Sequence, residues 1–257
     1  MQVYFVAVGS FALWVGVWGY LNPGQIVVAI PWQVPPLHAR FIASMYLSGL
    51  VLMIGGFVTL RHRNVIIALW MAAIWTGMLL VVSLLHLAEF DYSLNTVRFW
   101  FGAYIAFPVA GAALAMFYRP PASTLPLTEA PGWAVAWLTA QGILCGLLAL
   151  ALFLAPAAMG ALWPWKIPAL LAQIYSGPFL SFAFGNLYLA RHPNLADWRI
   201  ALASMLAFSL LVVLASLIHR SVFGTIGPAA TLWFGGFALA SVVQTHLCLL
   251  AFRKAPP

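Results

Sequence analysis

Eight stretches of the chain, at about 3–21, 41–60, 65–87, 99–118, 133–155, 169–190, 199–219 and 232–252, run almost without charge for the length of a membrane span. A spanning helix needs about 20 mostly apolar residues to cross a hydrocarbon core about 30 Å thick. Within lipid every backbone N–H and C=O must be paired internally, so runs of this length predict helices. The 257 residues are 65% hydrophobic and 6% charged, where a soluble chain carries about 25% charged residues. A soluble core cannot absorb so much apolar sequence. The expectation is an all-α polytopic membrane protein with eight spans, the lipid bilayer as its main partner, and little length left for a soluble domain.

The first run, after MQVYFVAVGSFALW, has no Lys or Arg before it and no small-residue cleavage site behind it. It therefore reads as a retained helix rather than a removable signal peptide. Cys145 and Cys248 fall inside apolar runs and form no disulfide framework. The net charge of +7 is spread one or two residues per loop, with no basic stripe, which excludes nucleic acid as a partner. The same charges report topology. Arg61, Arg63, Arg119, Arg191, Arg199, Arg253 and Lys254 lie on the side of the N-terminus, against Arg40, Arg98, Lys166 and Arg220 on the other. The excess predicts both termini in the cytoplasm, with Arg61-His62-Arg63 and Arg191-His192 as anchors near anionic headgroups.

Laid against itself at one constant offset, the chain matches without a gap. Pro23 falls on Pro156, Pro31-Trp32 on Pro164-Trp165, Pro35 on Pro168, Ser83 on Ser216, His86 on His219, and Trp100-Phe101-Gly102 on Trp233-Phe234-Gly235. Apolar bias alone would not align Pro, Trp and His. The expectation is two tandem four-helix units, residues 1–122 and 123–257. Four spans is an even number, so the units are parallel repeats about an axis along the membrane normal. The Pro-Trp loops IPWQVPPL and WPWKIPAL stop helices, and Trp32, Trp163 and Trp165 are expected at the headgroup boundary. His86 and His219 end their helices, where imidazole suits the negative end of the dipole.

Three sets of residues are candidates for function. The sixth run spaces Gln173, Gly177, Ser181 and Gly185 by four, and the second spaces Arg40, Ser44, Ser48 and Leu52 likewise, so each set shares one helix face. Such stripes either pack two helices closely or wall an outward-facing cleft for a lipid-like or small ligand. Pro108 and Pro178 would kink the helices beside such a cleft. In the first unit only, His38, Arg40, His86, Glu89 and Asp91 cluster by sequence near the outer boundary. His38, His86, Glu89 and Asp91 are ligand types for a transition metal, and paired histidines suit haem; the alternative is a set of interfacial ion pairs with Arg40 or Arg98. His246, inside the eighth run, is an ionisable group within a span and so a candidate for ligand binding, or a neutral histidine bonded to a neighbouring helix. No catalytic set is visible, since phosphate-binding glycine loops, His-Glu-x-x-His and Gly-x-Ser-x-Gly are absent.

The segment PWQVPPLHARFIASMYLSGLVLMIGG resembles a loose group of uncharacterised bacterial multi-pass membrane proteins with a Pro-Trp-x-x-x-Pro-Leu-x-Ala-Arg stretch. That resemblance implies a bacterial cytoplasmic membrane and no function. The plan of two four-helix units with outward histidines is similar to that of haem A synthase, although here only the first unit supplies a histidine pair at one depth. The leading expectation is a non-catalytic membrane protein: a binder of a lipid-like or small ligand, or a subunit of a larger membrane complex. A metal- or haem-dependent redox protein and a small-solute facilitator are the alternatives.

Overall fold

The computed structural model describes residues 1–60, 64–119, 128–224 and 227–253. Arg61, His62, Arg63, Lys254 and the expected unit boundary at 122–123 lie outside the described residues. Nine α-helices are described: α1 (Gln2–Leu21), α2 (Pro36–Val58), α3 (Asn64–Leu85), α4 (Asn95–Phe117), α5 (Gly132–Leu154), α6 (Pro156–Leu162), α7 (Ala169–Arg191), α8 (Leu195–Ile218) and α9 (Pro228–Phe252). Short 3-10 turns follow α1, α3 and α8 at Pro23–Val28, Leu87–Glu89 and Arg220–Phe223. Prolines punctuate the chain where their missing N–H costs nothing. Pro36, Pro156 and Pro228 open α2, α6 and α9, while Pro35 and Pro168 sit just ahead of α2 and α7. Pro108 and Pro178 lie inside α4 and α7, which continue through them.

Seven of these helices are long and apolar enough to cross a membrane, so the protein is an integral membrane protein of multi-pass, all-helical type. The expected span at 169–190 corresponds to α7, which has the length, 23 residues, but is the more polar helix. The reason is its position. Ser176, Ser181 and Asn186 are buried against other helices rather than lipid, so α7 needs no apolar outer face.

Four helices form the inside of the molecule. α2 packs on α8 and α3 on α7, while α1 lines the outside of α2, α4 of α3, α5 of α7 and α9 of α8. The seams between inner helices are made by small residues, which let backbones approach. A Cβ added to Gly177 would stand 3.4 Å from Trp75 and Met78, and one on Gly55 would collide with Ile200 at 2.5 Å.

Contacts recur at the offset of the sequence match. The Trp100 indole donates to Ser83 Oγ at 2.9 Å, and the Trp233 indole to Ser216 Oγ at 2.9 Å. Trp32 meets Trp100 with ring centroids 4.9 Å apart, and Trp165 meets Trp233 at 4.8 Å. Trp32 meets Phe90 at 5.7 Å, and Trp165 meets Phe223 at 5.6 Å. Trp163 and Trp165 are buried, and the indole N–H groups of Trp32, Trp163 and Trp165 are buried without an acceptor among the described residues. Aromatic packing, worth about 0.5–1.5 kcal/mol per pair beyond the area buried, holds them inward.

Candidate functional site

The start of α2, the end of α3, the start of α7 and the end of α8 meet at one end of the molecule, and His38, Arg40, His86, Gln173 and His219 gather there. Arg40 Nη1 donates to His219 Nε2 at 2.5 Å, and its Nε donates to the Tyr20 carbonyl at 3.0 Å. At the equivalent place, His86 Nε2 meets Gln173 Oε1 at 2.5 Å, and Gln173 Nε2 donates to the Phe153 carbonyl at 2.9 Å. Each histidine thus crosses from its own half of the chain to a side chain of the other half.

The chemistry of the partners dictates opposite tautomers. A guanidinium only donates, so His219 accepts at Nε2 and carries its proton on Nδ1. Gln173 turns its amide N–H₂ to Phe153, so its oxygen faces His86, which must donate from Nε2. Burial first, and the Arg40 charge second, hold the His219 pKa below its ordinary value, consistent with a neutral ring.

His38 is buried and makes a third crossing contact, Nδ1 to the Tyr175 hydroxyl at 2.9 Å. The four expected metal ligands are therefore divided. His38 faces Tyr175, His86 faces Gln173, and Asp91 is exposed and accepts from the Ser93 N–H and hydroxyl at 2.9 and 2.6 Å. Those two bonds lower the Asp91 pKa. Glu89 is exposed on the 3-10 turn. Among the described residues no three His, Cys, Asp or Glu side chains come close enough to share a metal ion. Nor does Arg98 reach the acidic pair; it donates to the Tyr92 carbonyl at 3.2 Å.

The serines of the two small-residue stripes are buried between helices. Ser44 Oγ donates to the Arg40 carbonyl at 2.7 Å and Ser48 Oγ to the Met45 carbonyl at 2.7 Å. Across the seams, Ser181 Oγ donates to the Met71 carbonyl and Ser204 Oγ to the Ser48 carbonyl, both at 2.8 Å. All four serines are at most 1% exposed. Close approach of the helices has closed the space these residues were expected to line. His246 is exposed on α9 with its ring 5.5 Å from that of Trp133, while the neighbouring Gln244 points inward and accepts from Ser209 at 2.9 Å.

A groove lies within the first four long helices, where no charged residue marks it in the sequence. Phe11 of α1, Tyr46 and Gly49 of α2, Trp75 and Thr76 of α3 and Tyr104 of α4 surround a narrow groove of about 410 Å³, its open mouth included. Only about 30 Å³ of that is free to the centre of a water molecule. The Tyr46 and Tyr104 hydroxyls bond to each other inside it. Phe11 closes the seam between α1 and α4, touching Phe99, Tyr104 and Phe107 with centroids 5.5–6.0 Å apart. A signal is present in the self-alignment, where Tyr46, Gly49, Trp75 and Tyr104 fall on Phe179, Phe182, Phe208 and Phe237. Those phenylalanines fill the equivalent space, with Phe208 5.0 Å from Phe182 and 5.7 Å from Phe237.

No family model, curated protein or solved structure matches the chain.

Proposed function

We propose that this is a non-catalytic membrane protein of eight spans, built as two tandem four-helix units, whose first unit holds one lipid-like or small apolar molecule. The observation that carries the reading is the groove between α1, α2, α3 and α4, set beside its aromatic-filled counterpart in α5, α7, α8 and α9. A pocket with apolar walls and a few convergent polar groups is the usual form of a small-molecule site. The polar groups at this one are two tyrosine hydroxyls and Thr76, whose hydroxyl already donates to the Ala72 carbonyl at 2.7 Å. That set orients a ligand and offers no paired acid and base, which favours binding over chemistry. The recurring Trp–Ser bonds and the two crossing histidines support the tandem plan. The ligand site of this reading replaces the outward cleft expected from the serine stripes.

The same reading places α7 as the eighth span, inside the ring of apolar helices, and both termini in the cytoplasm of a bacterial cell. The apolar outer faces of α4, α5 and α9, including Phe117, Leu144, Leu147 and Leu232, are exposed; they meet lipid or a neighbouring membrane subunit.

The test is purification in mild detergent, followed by solvent extraction and mass spectrometry of what the protein retains, with a visible spectrum and metal assay on the same sample. One apolar compound near one per chain, lost in Gly49→Phe, is the expected result. A Soret band or a stoichiometric metal would overturn the reading and return attention to His38 and His86.

A further inference from the structure

The groove has a donor to spare. Tyr46 and Tyr104 together carry two hydroxyl protons but share one hydrogen bond, and no other partner is present for either hydroxyl among the described residues. Tyr46 is 7% exposed and Tyr104 1%. One O–H is therefore left without a protein acceptor, beside free space that a single water or the polar atom of a guest can enter. Thr76 offers no relief, since it makes no bond to either tyrosine. Phe179 and Phe237 remove both hydroxyls at the equivalent positions of the second half, where both rings pack on Phe208.

Depth decides what can satisfy that proton. Tyr46 lies ten residues inside α2 from Pro36, which at about 1.5 Å per residue is about 15 Å from the helix end. In a hydrocarbon core about 30 Å thick this is close to the midplane. Tyr104 stands at a similar depth in α4, nine residues from Asn95. The ester carbonyls of a phospholipid stay at the boundary and do not reach so far. A freely dissolved apolar molecule does. The way in is the seam between α1 and α4, which share few contacts and are held together by the Phe11 ring.

Resting on the reading of the first unit as a binding site, we propose that its ligand is a membrane-soluble carbonyl compound of the quinone class. Its carbonyl oxygen accepts from the Tyr46–Tyr104 pair and its ring packs against Trp75. Phe11 swings aside to admit it, because the groove at rest is too narrow for a ring.

The experiment uses the full chain in detergent micelles and native mass spectrometry, with a decyl-substituted benzoquinone as the probe. Decylbenzene, which lacks the carbonyl, and a fatty-acid methyl ester, which carries an ester carbonyl, are the two comparison ligands. The expected result is one quinone per chain, with binding about tenfold weaker in the double variant Tyr46→Phe/Tyr104→Phe and undetectable in Gly49→Phe. The double variant keeps the shape of the pocket and guards against a folding defect in Gly49→Phe; thermal unfolding of all three is recorded alongside. Equal binding of quinone and decylbenzene, or unchanged binding by the double variant, overturns the carbonyl assignment while leaving an apolar site in place. Displacement of the quinone by the methyl ester overturns the quinone assignment and assigns an acyl ester instead. Failure to bind any of the three, together with nothing retained on purification, overturns both this inference and the reading beneath it.

Discussion

Among α1–α4, Tyr46, Gly49, Trp75 and Tyr104 surround a groove, whereas at the equivalent positions of α7, α8 and α9 the rings of Phe179, Phe182, Phe208 and Phe237 pack on one another. Around these unlike centres the walls are alike. The Trp–Ser bonds have the same length and the same kinds of partner, and the paired tryptophans stand 4.9 Å apart in one bundle and 4.8 Å in the other. The difference teaches which contacts set helix positions and which are free to change. Wall residues lock one helix to the next, so a change there moves a whole element. A residue at the middle of a bundle meets empty space or another ring, and swapping glycine for phenylalanine alters volume without re-aiming a helix.

The comparison breaks first if the walls are not equivalent in energy. Trp100→Ala and Trp233→Ala should each destabilise by about 3–5 kcal/mol, the range for a truncated buried aromatic. Unfolding titrations in mixed micelles measure both. Losses of similar size support a shared role; one tolerated and one disruptive change would mean that only one bundle relies on its tryptophan.

Phe182→Ala sharpens the contrast between the centres. Removing this ring should leave a cavity and cost about 3 kcal/mol, at the lower end because Phe179 and Phe208 can relax into the gap. The unfolding midpoint reports the loss, and extraction reports whether the second bundle now retains a guest. If stability is unchanged, the ring does not fill the space as the structure indicates.

How far the sequence could be read follows from the same division. Eight apolar runs and the ungapped internal match locate the long helices because lipid demands length and apolarity, both visible in one dimension. The recurrence of His86 at His219 is equally visible, but its meaning is not. Each histidine is matched to a residue of the opposite half, Gln173 or Arg40, and a partner so distant in sequence appears only when the helices are packed. His38 defeats a metal-ligand reading for the same reason, since its partner Tyr175 is 137 residues away. The serine stripes at Ser48 and Ser181 mark close helix approach, yet periodicity alone does not say whether the faces meet or part. The Tyr46–Tyr104 pair leaves its trace in the self-alignment, where two hydroxyls vanish together, but neither tyrosine carries a charge that would single it out.

The crossing histidines give a milder perturbation. His86→Ala leaves the Gln173 oxygen without its donor and should cost about 1–3 kcal/mol. Arg40→Gln should cost less, under about 1 kcal/mol, within the net worth of one hydrogen bond. His219 can move its proton to Nε2 and donate to the new amide oxygen, reproducing the bond that His86 makes with Gln173. Stability measured for both variants, with imidazole ¹⁵N shifts to read the tautomer, checks the pair. An unchanged Nδ1–H tautomer of His219 in Arg40→Gln would contradict the donor–acceptor logic.

The smallest effect expected is a pH dependence confined to the Arg40 side. The folded protein holds His219 below its ordinary pKa, through burial and then through Arg40, whereas an unfolded histidine titrates near about 6.5. Between the folded pKa and that value the unfolded chain binds more protons, so stability rises with pH across this window. The contribution is fully present above about pH 6.5 and declines as pH falls toward the folded pKa, below which it levels off. Arg40→Gln removes the charge that opposes protonation and should flatten the slope without abolishing it, because burial, the larger cause, remains. Unfolding midpoints across that window, for the wild type and Arg40→Gln, make the comparison. A steeper slope in the variant would show that Arg40 favours the imidazolium, which no arrangement of a donor-only guanidinium against His219 Nε2 allows.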